Sequence, residues 1–158
     1  MGYTIYWRTA SGAVLAQDEA KACVAAIRGL MGECADVVQS EFTSADADST
    51  YNINFNGIGG GAHETFTFYT AFVDPSEVPR AVADALTWPR EPADHILTPE
   101  GHLAFNFCKT AAKPYDRVVK LALMKIQEVT GGKLVLSDDG ENLKTDPPGW
   151  REMLNEVR

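Results

Sequence analysis

The hydrophobic period changes several times along the chain, and each change marks an element. Residues 3–8, YTIYWR, alternate and are rich in aromatic and β-branched side chains, which predicts a strand. Gly12 marks a turn, and residues 13–16 fit a short returning strand. From Asp18 the spacing turns helical. Ala20, Cys23, Val24, Ile27, Leu30, Met31 and Cys34 recur at i, i+3, i+4 and i+7, with Asp18 as N-cap and both cysteines as core thiols. A polar loop, 43–50, separates this helix from YNINFN (51–56) and HETFTFYT (63–70). Both of these alternate strictly and flank GIGGGA, the pattern of a β-hairpin.

Residues 74–102 carry Pro75, Pro79, Pro89, Pro92 and Pro99, which rules out long regular elements there and predicts a surface excursion with a short helix over 76–86. HLAFNFCK (102–109) resumes strand alternation. Pro114 suits the first position of a second helix. Its inward stripe is Tyr115, Val118, Val119, Ala122, Leu123, Ile126 and Val129, and Gly131-Gly132 ends it. KLVLS is a further strand, DDGEN a turn, and Asp146-Pro147 the start of a short helix with Trp150 and Leu154. Helices mixed with hairpin strands predict an α+β fold: a mainly antiparallel sheet with helices packed on one face, in a single globular domain, 1–158.

Composition narrows the function classes. Hydrophobic residues at 45% and charged residues at 23% are those of an ordinary globular protein. No apolar run approaches the ~20 residues that cross a bilayer. MGYTIYWRTA lacks the basic and apolar regions of a secretory signal, and Tyr6 stands where a myristoylation signal needs Ser or Thr. Three cysteines without a CxxC pair point to reduced thiols in the cytoplasm and exclude a zinc ribbon. A net charge of −8 opposes direct nucleic-acid binding, which needs cations against phosphate. It suits a solubilising surface or an acidic face that docks on a basic partner.

Alternation also sorts the chemistry. If the three extended segments share one sheet, Ile53, Phe55, Phe66, Phe68, Leu103, Phe105 and Phe107 face the core. Asn52, Asn54, Asn56, His63, Thr65, Thr67, Tyr69, Asn106, Cys108 and Thr110 then share the reverse. A one-sided sheet showing polar residues to water would look the same. Yet asparagine is disfavoured in strands, and repeated local cost tends to mark function. The expected binding surface therefore comprises Asn54, His63, Thr65, Asn106, Cys108, Lys109, Tyr115 and Asp116, for a protein partner or a small polar ligand.

Cys108 precedes a helix start, with Lys109 and Lys113 close in sequence, and both features lower a thiol's pKa. With His63 as base it is a candidate nucleophile, so a small cysteine-dependent hydrolase is the alternative to a binding protein. An inert core thiol, and a structural junction network of Lys109, Tyr115 and Asp116, are the plainer readings. NGIGGG (56–61) is followed by a strand rather than a helix and is no phosphate loop. Thr67 breaks any HExxH, SDDGEN lacks EF-hand spacing, and His63, His95, His102 and Cys108 match no zinc pattern. No metal or cofactor is expected.

NGIGGGAHETFTF (56–68), NFCKTAAKPYD (106–116) and SDDG (137–140) together resemble a scattered set of small bacterial and phage proteins. Those proteins carry an HE-F hairpin and a C-K-T-x-x-K-P-Y-D segment. The resemblance covers the middle and latter parts of the chain, and the second motif is the more specific. It implies no particular activity or site residue. It makes a phage or mobile-element accessory role an expectation, for example inhibition of a basic host protein.

Overall fold

A computed structural model of the protein describes residues 3–10, 12–40, 52–69 and 106–139. The polar loop at 43–50, the proline-rich stretch at 74–102, strand residues 102–105 and the C-terminal helix expected after Asp146 lie outside these residues. In chain order the elements are β1 (Thr4–Thr9), α1 (Gln17–Glu33), β2 (Val38–Gln39), β3 (Asn52–Gly57), β4 (Phe66–Tyr69), β5 (Asn106–Lys109), α2 (Asp116–Thr130) and β6 (Leu134–Asp138). The fold is α+β, as expected. Its strands form two antiparallel three-stranded sheets, ordered β5-β1-β6 and β2-β3-β4. Helix α1 lies against β3, α2 lies against β6, and the two helices pack on each other. No helix among the described residues is long and apolar enough to cross a membrane.

The helices follow their periodicity. In α1 the buried stripe is Ala20, Cys23, Val24, Ile27 and Leu30, with Cys34 buried just beyond the end. The N-cap is Ala16 rather than Asp18, because the Glu19 carboxylate receives the Ala16 N–H at 3.0 Å and starts the helix earlier. Residues 13–16 form no strand; Leu15 is instead buried in the core. Helix α2 begins at Asp116, two residues after Pro114, and ends on Gly131 in the left-handed region at φ 69°. Glycine is the residue that adopts this conformation without a Cβ penalty. Val129, expected inward, is 38% exposed. Thr130 takes the inward position, and its hydroxyl donates to the Ile126 carbonyl at 2.8 Å. The Gln127 amide then pairs with both the C=O and the N–H of Leu134, at 2.8 and 2.9 Å, and fixes the short passage into β6.

The hairpin forms, with its second strand beginning at Phe66 rather than at His63. Ile53 and Phe55 on β3 lie opposite Phe68 and Phe66 on β4, and all four are buried. Trp7 of β1 meets Phe66 with ring centroids 5.3 Å apart, and Phe66 meets Phe55 at 4.9 Å, so one aromatic row joins the two sheets.

Two expectations about strand faces are corrected. First, β5 does not share a sheet with β3 and β4; it pairs with β1. Second, β5 turns over. Asn106 lies opposite Trp7 and Cys108 opposite Ile5, on the buried face of β1, and Thr110 is buried as well. Phe107 lies opposite Tyr6 on the other face, half-buried, with the Lys109 ammonium 5.8 Å from its ring centre. The reason is volume. Trp7 and Ile5 already fill the inward layer of β1, and small partners complete a layer packed to interior density better than two more phenyl rings. Nor is the reverse of the hairpin open, since Asn54 and Asn56 are buried too.

Candidate functional site

The two motifs that carry most of the chain's chemistry pack against each other. Asn56 begins the arrangement. Its Oδ1 receives the Gly57 N–H at 2.7 Å and the His63 N–H at 3.0 Å. Its Nδ2 donates to the His63 carbonyl at 2.8 Å and to Thr65 Oγ1 at 3.3 Å. One side-chain amide thus closes the loop between β3 and β4. Inside that loop Gly59–Gly61 make a single 3-10 turn. A Cβ on Gly57 would lie 2.0 Å from the Gly61 carbonyl oxygen, so a residue without one is required there.

The closed loop presents His63 and Glu64 to the outer edge of β5. The Glu64 N–H donates to the Lys109 carbonyl at 3.3 Å, and the Glu64 carboxylate receives the Lys109 N–H at 2.5 Å. The Glu64 carbonyl accepts the Tyr115 hydroxyl at 2.6 Å and the Cys108 thiol at 3.5 Å. His63 Nδ1 lies 2.8 Å from the Lys109 carbonyl, which places its proton on Nδ1. Lys113 reaches across to the Gly60 carbonyl at 3.3 Å. An edge strand leaves main-chain donors and acceptors unpaired. Here one end of that edge is closed by side chains and one main-chain bond rather than by another strand.

The junction after β5 is strained. Ala111 and Ala112 have φ of 52° and 54°, and the Lys113 N–H returns to the Thr110 carbonyl at 3.0 Å. This is a turn of the I′ kind, normally built from Gly, Asn or Asp. An L-residue in the left-handed region costs about 1–2 kcal/mol. Surrounding bonds hold it. The Tyr3 carbonyl accepts the Thr110 N–H at 2.9 Å and the Ala111 N–H at 3.2 Å, and the Thr110 hydroxyl bonds the Asp116 carboxylate. Asp116 also pairs with Lys120 at 2.9 Å, and the Lys120 ammonium sits 4.7 Å from the centre of the Tyr3 ring.

Cys108 is fully buried. Burial, and then the Glu64 charge, push its thiol far above the ordinary value, against a smaller opposing effect of the hydrogen bond with Tyr115. Burial likewise raises Tyr115. Cys23 is pushed up to about 12 by burial and then by Glu19, and Cys34 is raised by burial and then by Glu33 and Asp36. All three thiols are therefore protonated at neutral pH.

The structure brings His63, Cys108, Lys109 and Tyr115 together through Glu64, with Asp116 adjoining from the strained turn and Thr65 from the Asn56 clamp. His63 and Cys108 do not hydrogen-bond to each other; the imidazole is exposed and the thiol is not. Asn54 and Asn106 are elsewhere, opposite Thr67 and Trp7 respectively. Glu64 is the hub that sequence reasoning missed. Its signal was its place beside His63 at the end of the glycine loop.

On the outward side of the junction lies a groove of about 550 Å3. Ala112, Lys113, Pro114 and Arg117 form one wall, and Glu33, Asp36 and Val37 form the other. Among the described residues no group of three or more His, Cys, Asp or Glu side chains is placed to hold a metal. A scan against protein-family models found no match, and searches of curated proteins and of solved structures found none either.

Proposed function

We propose that the protein is a binding protein and that the groove beside the 106–116 junction receives its ligand or partner. The observation that carries this reading is the turn at Ala111–Ala112, since Ala112 forms part of the groove wall. Backbone strain persists where the surroundings over-determine it, and it clusters at ligand clamps. Here Tyr3, Thr110 and Asp116 hold the strained wall in place. The groove also has the volume of small-ligand sites. In this reading His63, Glu64, Cys108, Lys109 and Tyr115 set the wall from behind, and Asp116 anchors it.

The cysteine hydrolase alternative has less support. A nucleophile needs access and a low pKa, and the Cys108 thiol is enclosed, raised and bonded to a carbonyl. The three free cysteines fit a reducing cytoplasm, and a net charge of −8 favours a basic protein among candidate partners, as a phage or mobile-element accessory would meet.

The test is an amide-resolved NMR titration with a panel of small polar fragments. Saturable shifts confined to residues 33–37 and 112–121 are the expected result. Shifts only at the half-buried face of Tyr6 and Phe107, or none anywhere at millimolar fragment, would refute the assignment. Ester or amide turnover that Cys108→Ser abolishes would establish the hydrolase instead.

A further inference from the structure

We infer that the groove takes a zwitterionic guest with an apolar body, of the kind a short peptide with free termini or a large amino acid presents. This rests on the groove reading above and adds the chemistry of the occupant. The two walls carry opposite charge. On the α1 side stand Glu33 and Asp36, which make no ion pair or hydrogen bond among the described residues. Helix α1 ends there with no basic residue in its last turn, so the partial negative charge of its terminal carbonyls adds to theirs.

On the α2 side Lys113 lines the groove beside a helix start whose partial charge is positive; Arg117, next to it in the lining, is engaged in an interaction of its own. Among the described residues Lys113 meets only a neutral acceptor, the Gly60 carbonyl at 3.3 Å. Asp116 does not cancel this wall, because its carboxylate is engaged by the Thr110 hydroxyl and by Lys120. Between the walls the lining is apolar, from Val37, Pro114, Val118 and Leu121.

Glu33 and Asp36 line the same groove as Lys113 and do not pair with it. Long side chains of opposite charge close onto one another when geometry allows. Here no such pair forms, and a guest with an ammonium at one end and a carboxylate at the other would meet both charges. A guest with a single charge would satisfy one wall and leave the other unmet.

The probe is leucyl-leucine, compared with its N-acetylated, C-amidated and doubly blocked forms, by amide-resolved NMR titration and calorimetry on the full chain. The free dipeptide should give saturable shifts at residues 33–37 and 112–121. Blocking either end should weaken binding about three- to fivefold, the range of a partly exposed charge pair. The double variant Glu33→Gln with Asp36→Asn should make binding insensitive to acetylation while amidation still weakens it. Lys113→Met should do the reverse. Glu33 and Asp36 are exposed and Lys113 is half-buried, and unchanged melting temperatures will separate lost binding from lost folding.

If all four peptides bind equally, the charge assignment falls and the groove reading stands. The same holds if the free dipeptide fails while a fragment from the panel shifts the same amides. If neither peptides nor fragments shift them, both readings fall.

Discussion

Asn56→Ala is the sharpest perturbation of the seam between the two sheets. The side chain is 4% exposed and makes four hydrogen bonds, two accepted and two donated. Alanine leaves the Gly57 and His63 N–H groups and the His63 carbonyl without it. The hydroxyl of Thr65 rotates, and water reaches the His63 side of the loop, so not every bond is lost in full. At about 1 kcal/mol net for each of three main-chain groups, the loss is about 2–3 kcal/mol. For a chain of this size that is roughly a 4–12 °C fall in Tm, read by circular dichroism.

The closed loop also carries Glu64 over Cys108, so the variant should alkylate faster at Cys108 under native conditions. Asn56→Asp supplies the control. It keeps an acceptor for both N–H groups but puts a carboxylate oxygen where Nδ2 now donates to the His63 carbonyl at 2.8 Å. Burial and that carbonyl raise the folded pKa of the new carboxyl above its unfolded value of about 3.9. The unfolded chain then loses its proton first as pH rises. The variant is therefore closest to wild type in acid, and the gap widens upward through the interval between the two pKa values. An alanine variant within about 2 °C of wild type, a shift less than the loss of even one such bond would give, or an aspartate variant whose gap ignores pH, would refute the clamp.

Ala111→Gly and Ala112→Gly should each stabilise the protein by about 0.5–1 kcal/mol, because glycine removes the left-handed penalty at the cost of greater unfolded-chain entropy. A lower Tm for both variants would mean that the turn is not strained. At Glu19, burial alone would raise the carboxyl, but Lys133 at 2.6 Å and the Ala16 N–H hold it below its ordinary value. That contribution is present above the unfolded pKa of about 4.3 and is lost as pH falls through the folded value. Glu19→Gln should therefore be less stable by up to about 1 kcal/mol near neutrality and equal in acid; a gap unchanged between these conditions contradicts the pairing. Finally, iodoacetamide should label Cys23, Cys34 and Cys108 only on unfolding, and fast native labelling of Cys108 would reopen the nucleophile reading.

The helices were legible because a 3.6-residue stripe carries its own inward direction: the apolar side of α1 is apolar whatever it meets. The β3–β4 hairpin was legible for a related reason, since its strands are joined by a short turn and both put aromatics on one face. Strand β5 was not. Alternation separates Phe107 from Asn106 and Cys108 but does not say which side is inside. That choice belongs to Ile5 and Trp7, at the opposite end of the chain, whose bulk leaves room for a thiol and an amide. Sheet membership was hidden likewise, because it depends on pairings far apart in sequence.

The crowding of functional groups at 106–116 then has a physical source that periodicity cannot show. Lys109 ends an edge strand whose N–H and C=O still need partners, and among the described residues no strand lies beside it to supply them. A glutamate, an imidazole and a phenol supply them instead. Directional polar side chains are what a seam between two sheets demands. The same demand fixes the backbone at Ala111 and Ala112, and with it the wall that faces the groove. Residues that read as a reactive cluster along the strand thus act one layer behind the surface where binding is proposed.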